Sequence, residues 1–106
     1  MNENTALTES TYYILLSLVT PRHGYGIMLA AEQLSGGRVR LAAGTLYGAL
    51  NALCDKGWIA PLPVSQDSRK KEYKLTAQGL AVLHGELTRL KELVANGETI
   101  LKEASV

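Results

Sequence analysis

With 106 residues, 46% of them hydrophobic and 20% charged, the chain is long enough for one core, too short for two, and not of disordered composition. Its longest apolar stretches, such as residues 13–19, fall far short of the ~20 residues that cross a bilayer, and its first residues lack a signal peptide's basic start, so a cytoplasmic protein without membrane contact is expected. The formal net charge of +1 conceals a gradient, −2 over residues 1–20, +4 over 21–74 and −1 over 75–106, and a local basic face can bind phosphates despite a near-neutral total.

The first helix is expected to begin at Thr8, whose hydroxyl can cap free amides, and to stop before Pro21, with Tyr12, Leu15, Leu16 and Val19 at helical spacing. A second helix follows His23-Gly24-Tyr25-Gly26, turns Ile27, Met28, Ala30, Ala31 and Leu34 inward, and ends at Ser35-Gly36-Gly37. Tyr25 is expected to pack, with a backbone contact nearby. Gly44-Thr45 opens a third helix carrying Leu46, Ala49, Leu50 and Leu53 inward, and Gly57 closes it. Thr45 is a candidate cap for this helix as well as a candidate contact.

Residues 58–64 and 71–75 read as two short strands around the polar turn Ser65-Gln66-Asp67-Ser68, the first made an edge strand by Pro61 and Pro63. Three helices followed by a hairpin, with the middle pair joined by a glycine-containing turn, make a winged helix-turn-helix. The fold class is thus mainly α with a small β-hairpin. Beyond the Thr76 cap, Leu80, Leu87, Val94 and Leu101 repeat every seven residues, with Leu83, Leu90, Gly97 and Ala104 between them. Leu93 and Ile100 widen this surface beyond what so small a core can cover. Residues 1–75 are therefore read as a DNA-binding unit, and residues 76–106 as a dimerisation helix through Leu80, Leu83, Leu87, Leu90, Val94 and Leu101. Asn96-Gly97 is the point where that helix could bend or end.

In a helix-turn-helix the start of the recognition helix enters the major groove of double-stranded DNA while the preceding helix crosses the backbone. Thr45, Tyr47 and Asn51 are the candidate groove contacts, with Gly44 and Gly48 permitting close approach. Arg69, Lys70 and Lys71 at the wing, and Arg38 and Arg40 before the recognition helix, are candidate phosphate contacts. A catalytic or metal site is not expected. His84-Gly85-Glu86 lacks the paired cysteines of a zinc deaminase, Cys54 stands alone, and Leu29 occupies the third glycine position of a dinucleotide loop after Gly24-Tyr25-Gly26. The rival reading is a winged helix kept for protein contacts, because the recognition helix has no Arg or Lys before Lys56.

The ordered runs Leu7-Thr8-Glu9, Tyr13-Ile14-Leu15, Pro21-Arg22-His23-Gly24-Tyr25-Gly26-Ile27 and Leu34-Ser35-Gly36-Gly37 resemble the PadR-like transcriptional regulators. So do Gly44-Thr45-Leu46-Tyr47-Gly48-Ala49-Leu50, Lys56-Gly57-Trp58-Ile59 and the return strand 69–76. The resemblance covers roughly residues 7–90. It implies a homodimeric repressor acting on a two-fold symmetric operator, in the family's short branch with one helix after the wing. It also implies, by analogy alone, release by a small-molecule effector near the dimer interface. Every aromatic residue precedes Thr76, so the last helix offers no aromatic-lined effector pore of the kind used by the family's multidrug-binding branch. No cofactor is implied.

Overall fold

Thr8 caps the first helix: its Oγ1 accepts the Thr11 N–H at 3.1 Å, which satisfies an amide the helix itself leaves free. The computed structural model describes residues 6–63 and 71–104. In chain order it comprises α1 (Glu9–Ser17), β1 (Arg22–His23), α2 (Gly24–Leu34), α3 (Ala43–Asp55), β2 (Ile59–Pro61), β3 (Glu72–Leu75) and α4 (Ala77–Glu103). The architecture is mainly helical with one small antiparallel sheet, as the sequence predicts.

Two helices end in the same way. After α2, Gly36 and Gly37 take positive φ of 65° and 89°, and their amides reach back to Gln33 O at 3.2 Å and Glu32 O at 2.8 Å. After α3, Gly57 has φ 78°; its N–H donates to Cys54 O at 3.0 Å and that of Trp58 to Leu53 O at 3.1 Å. Both closures satisfy carbonyls that a helix end leaves free, and glycine adopts the left-handed step without a Cβ penalty.

The sheet differs from the expected hairpin. It has three strands in the order β1-β3-β2, with Arg22 opposite Tyr73 on one side of β3 and Ile59 opposite Leu75 on the other. The two-residue β1 carries too little pattern to be read as a strand; it forms because β3 offers a free edge. Pro61 ends β2 at the outer edge, where a missing N–H costs least. The strands are also shorter than expected, and the turn at residues 65–68 lies outside the described residues.

Ile14, Leu15 and Leu18 from α1 and its end, Ile27 from α2, Leu46, Leu50 and Leu53 from α3, Ile59 and Tyr73 from the sheet and Leu83 from α4 form one buried cluster. Each fully buried aliphatic side chain contributes about 1.5–3 kcal/mol relative to exposure. Leu34, expected inside, is exposed at the last turn of α2, because the chain there has already turned away from the core. The α4 helix runs unbroken through Gly97, so the weak point the sequence marks is neither an end nor a gap in the helix.

The junction of α3, the wing and α4 is tightly tied. Thr76 Oγ1 donates to Gly57 O at 2.7 Å and accepts the Gly79 N–H at 3.0 Å, while the Thr76 N–H donates to Trp58 O at 3.0 Å. One threonine therefore couples the end of α3 to the start of α4. Along α4, the buried Glu86 takes two hydrogen bonds from Arg89, each 2.7 Å, and one from the Leu7 N–H at 3.2 Å.

Candidate nucleic-acid interface

The outward side of α3 is unusually bare. Leu46, Leu50 and Leu53 anchor the helix in the core, which leaves Gly44, Thr45, Gly48, Asn51 and Ala52 exposed on the far side. A β-carbon added at Gly44 or Gly48 would meet nothing within 4 Å. A second macromolecule can therefore approach the helix backbone between Thr45 and Asn51, whose side chains carry the hydrogen-bonding groups. Thr45 is not the cap of this helix. Ala42 holds the N-cap position without any side-chain hydrogen bond, so the Thr45 hydroxyl is not committed there.

Tyr47 has a more constrained place. It is 47% exposed, but the hydroxyl end of its ring lies where a side chain on Gly24 would begin: an added β-carbon there would collide with Oη and sit 2.8 Å from Cζ. Gly24 is the first residue of α2, so its lack of a side chain lets the Tyr47 ring lean across the start of that helix. The tyrosine thus bridges the two helices of the helix-turn-helix rather than pointing along the outer stripe. His23 caps α2, its Nδ1 accepting the Gly26 N–H at 3.3 Å. Tyr25, expected to pack, is 61% exposed in the first turn of α2, because that turn stands clear of the core. A large aromatic between two glycines at a helix start is a sequence signal compatible with packing and with exposure alike.

The cations are distributed unevenly. Lys71 is exposed at the start of the return strand, its Nζ 5.8 Å from the Tyr73 ring centroid, and Lys56 lies over Trp58 at 4.8 Å. Arg69 and Lys70, the other wing candidates, lie outside the described residues. Arg38 and Arg40 are exposed but locally engaged: Arg38 pairs with Glu9 at 2.7 Å, and Arg40 Nε donates to Gly37 O at 3.2 Å with Glu32 at 3.9 Å. Exposed pairs of this kind contribute about 0–1 kcal/mol.

Burial pushes the Cys54 thiol up, which keeps it protonated and poorly nucleophilic. Among the described residues no group of three potential metal ligands occurs, and no helix is long and apolar enough to cross a membrane.

Of the residues expected to form a dimer surface, Leu83 is 6% exposed and belongs to the chain's own core, which the heptad pattern alone could not separate from a partner-facing position. Leu90 is half-buried, and Leu80, Leu87, Val94 and Leu101 are exposed together with Leu93 and Ile100.

Comparison with known proteins places this architecture. The chain is similar to a 37.1 kDa uncharacterized protein of transposon TN4556 from Streptomyces fradiae, at 40% identity over 73 residues, which is 69% of this chain but only 20% of that protein. A PadR family transcription regulator from Clostridium difficile superposes with a TM-score of 0.70 at 21% identity, covering 93% of this chain and 100% of that one. Bacillus subtilis PadR in complex with operator DNA superposes with a TM-score of 0.63 at 30% identity, covering 73% of this chain and 45% of that one. The model of the transcriptional regulator PadR-like family matches residues 14–85, well over half of the sequence, and the chain belongs to that family.

Proposed function

We propose that the protein is a homodimeric, cytoplasmic transcriptional repressor that inserts α3 into the major groove of a two-fold symmetric operator. The observation that carries this reading is the bare outer side of α3, where Thr45 and Asn51 flank two glycines and the DNA can come close. Thr45 and Asn51 read base edges. Tyr47, held on Gly24 at the start of α2, offers its hydroxyl to a phosphate, beside Tyr25 and the first amides of that helix. Arg69, Lys70 and Lys71 supply charge from the wing, and Arg38 and Arg40 add to it once released from their local partners. Those groups set affinity, whereas Thr45 and Asn51 set sequence preference.

Release by a small-molecule effector would act through the groove of about 450 Å³ between α1, α3 and α4, lined among others by Leu7, Ala49, Lys56, Trp58 and Val82. Ligand there would touch Trp58, whose carbonyl is tied to Thr76, and Val82 of α4. A winged helix kept for protein contacts is the second reading, favoured by the absence of cationic side chains along α3.

Titration with DNA at several salt concentrations separates the two. Affinity for an operator should fall steeply as salt rises, and replacing Arg69, Lys70 and Lys71 together by alanine should reduce the slope by roughly three units of phosphate contact. Failure to retard any genomic fragment at low salt would leave the protein-contact reading.

A further inference from the structure

The Gly57–Trp58 turn that closes α3 uses all four of its backbone polar groups to link helices. Its amides face back to α3, Gly57 N–H donating to Cys54 O at 3.0 Å and Trp58 N–H to Leu53 O at 3.1 Å. Its carbonyls face Thr76: Gly57 O accepts the hydroxyl at 2.7 Å and Trp58 O accepts the amide at 3.0 Å. The same hydroxyl oxygen accepts the Gly79 N–H at 3.0 Å and so caps α4. One half-buried side chain thus holds the last turn of α3 against the first turn of α4. Resting on the homodimer and DNA readings above, we infer that Thr76 is a positioning residue for operator recognition. Its bond to Gly57 O fixes the tilt of α3 on α4, and that tilt sets the half-site separation the protein accepts.

The packing around these bonds leaves little slack. A β-carbon added at Gly79 would collide with the Trp58 carbonyl oxygen, and one added at Gly57 would lie 3.2 Å from Gln78 Oε1. A second attachment of α4 lies farther along the helix, where Glu86 accepts the Leu7 N–H at 3.2 Å and Leu83 joins the core. Thr76 and Glu86 are ten residues apart, or about 15 Å along the helix. On a base of that length, a slip of about 1 Å at Thr76 tilts α3 and the wing by about 4° relative to α4. In a two-fold dimer the tilt enters once in each copy, so the two recognition helices move against each other.

Side-chain chemistry separates this coupling from capping alone. A cap needs only an acceptor for the Gly79 N–H, which threonine, serine and aspartate all supply. The bond to Gly57 O needs a donor as well, which a hydroxyl has and an ionised carboxylate lacks. Valine matches threonine in shape and supplies neither. A residue kept for the helix end alone would serve equally well as aspartate, whereas one that also fixes the tilt requires a hydroxyl. DNA offers a ruler for the difference: one base-pair step moves a half-site by about 3.4 Å along the duplex and about 34° around it. A dimer of fixed geometry loses contacts when a step is added, and a dimer hinged at Thr76 follows it.

The test is a series at position 76 in the full chain, each protein confirmed folded by circular dichroism and then used to select bound fragments from a randomised DNA pool. Wild type and Thr76→Ser should enrich inverted repeats of one separation. Thr76→Asp and Thr76→Val should enrich the same half-site at two or more separations. Gel retardation on the wild-type operator with one base pair inserted between its half-sites gives the magnitude. The insertion should weaken binding by wild type and Thr76→Ser roughly tenfold or more, and by Thr76→Asp and Thr76→Val less than about threefold. The ratio between the two operators is insensitive to a uniform loss of affinity, so a merely destabilised variant keeps the wild-type ratio. Thr76→Asp holding a single separation would overturn the inference, because that variant caps α4 and lacks only the bond to Gly57 O; a Thr76→Ser protein with relaxed separation would overturn it too. A wild-type selection without any two-fold repeat would overturn the homodimer reading, and the inference with it.

Discussion

The α4 helix carries two glycines in opposite surroundings, and the same substitution at each should change stability with opposite sign. At Gly79, which is buried, an added β-carbon would collide with the Trp58 carbonyl oxygen and lie 2.8 Å from Leu75 Cδ1. A carbonyl oxygen cannot rotate away, so the backbone at the Gly57–Trp58 turn or the first turn of α4 must move. Overpacking of this kind costs typically 1–3 kcal/mol, and here the obstacle is backbone, which puts the cost at the upper end. Alanine recovers about 1 kcal/mol of helix propensity. The net loss for Gly79→Ala is about 1–2 kcal/mol, or roughly 5–10 °C in Tm for a domain of this size. Within the single chain nothing lies within 4 Å of Gly97, so at concentrations where the protein is monomeric Gly97→Ala keeps the propensity gain and should raise Tm by several degrees. Thermal unfolding followed by circular dichroism at equal protein concentrations measures both. A Gly79→Ala protein as stable as the wild type would refute the packing at the α3–α4 junction.

Tyr47→Phe should leave the unfolding free energy within about 0.5 kcal/mol of the wild type, since the ring still rests on Gly24, but should weaken DNA binding several-fold at specific and nonspecific sites alike. Gly24→Ala should weaken binding by displacing Tyr47, and should add little in a Tyr47→Ala background; gel retardation of the four variants tests that coupling. The hydrogen bonds from Arg89, with help from the Leu7 amide, hold the Glu86 carboxyl below its ordinary value of 4.5. A depressed folded-state value means that this contribution is complete above about pH 4.5 and is lost as pH falls through the folded-state value. Urea unfolding should therefore show Glu86→Gln less stable than wild type at neutral pH, with the difference shrinking at pH 3. An equal difference at both pH values would contradict the ion pair.

Periodicity and punctuation made most of this fold legible. Four helices were readable because their apolar residues recur at helical spacing and because Thr8, Thr76, Gly36, Gly37 and Gly57 mark their ends by chemistry that needs no tertiary context. What escaped was what depends on partners distant in the chain. Arg22 and His23 become a strand through pairing with β3, Leu34 is exposed by a turn in direction, and Leu83 is taken by the core although its heptad position suits a seam equally well. Helix phase puts Thr45 and Asn51 on the exposed side of α3, where the structure has them. The orientation of Tyr47 was not legible, because it is set by the missing side chain at Gly24, and neither was the exposure of Tyr25, because a glycine-flanked aromatic looks alike whether it packs or protrudes.

The central claim is that α3 reads DNA from a two-fold symmetric dimer. Selection of bound fragments from a randomised DNA pool by the full-length protein tests it most directly. An inverted repeat whose half-sites lie about one helical turn, roughly 34 Å, apart should be enriched, with Asn51→Ala relaxing the preference inside each half-site. Recovery of no enriched sequence at low salt, or of a motif without two-fold symmetry, would contradict it.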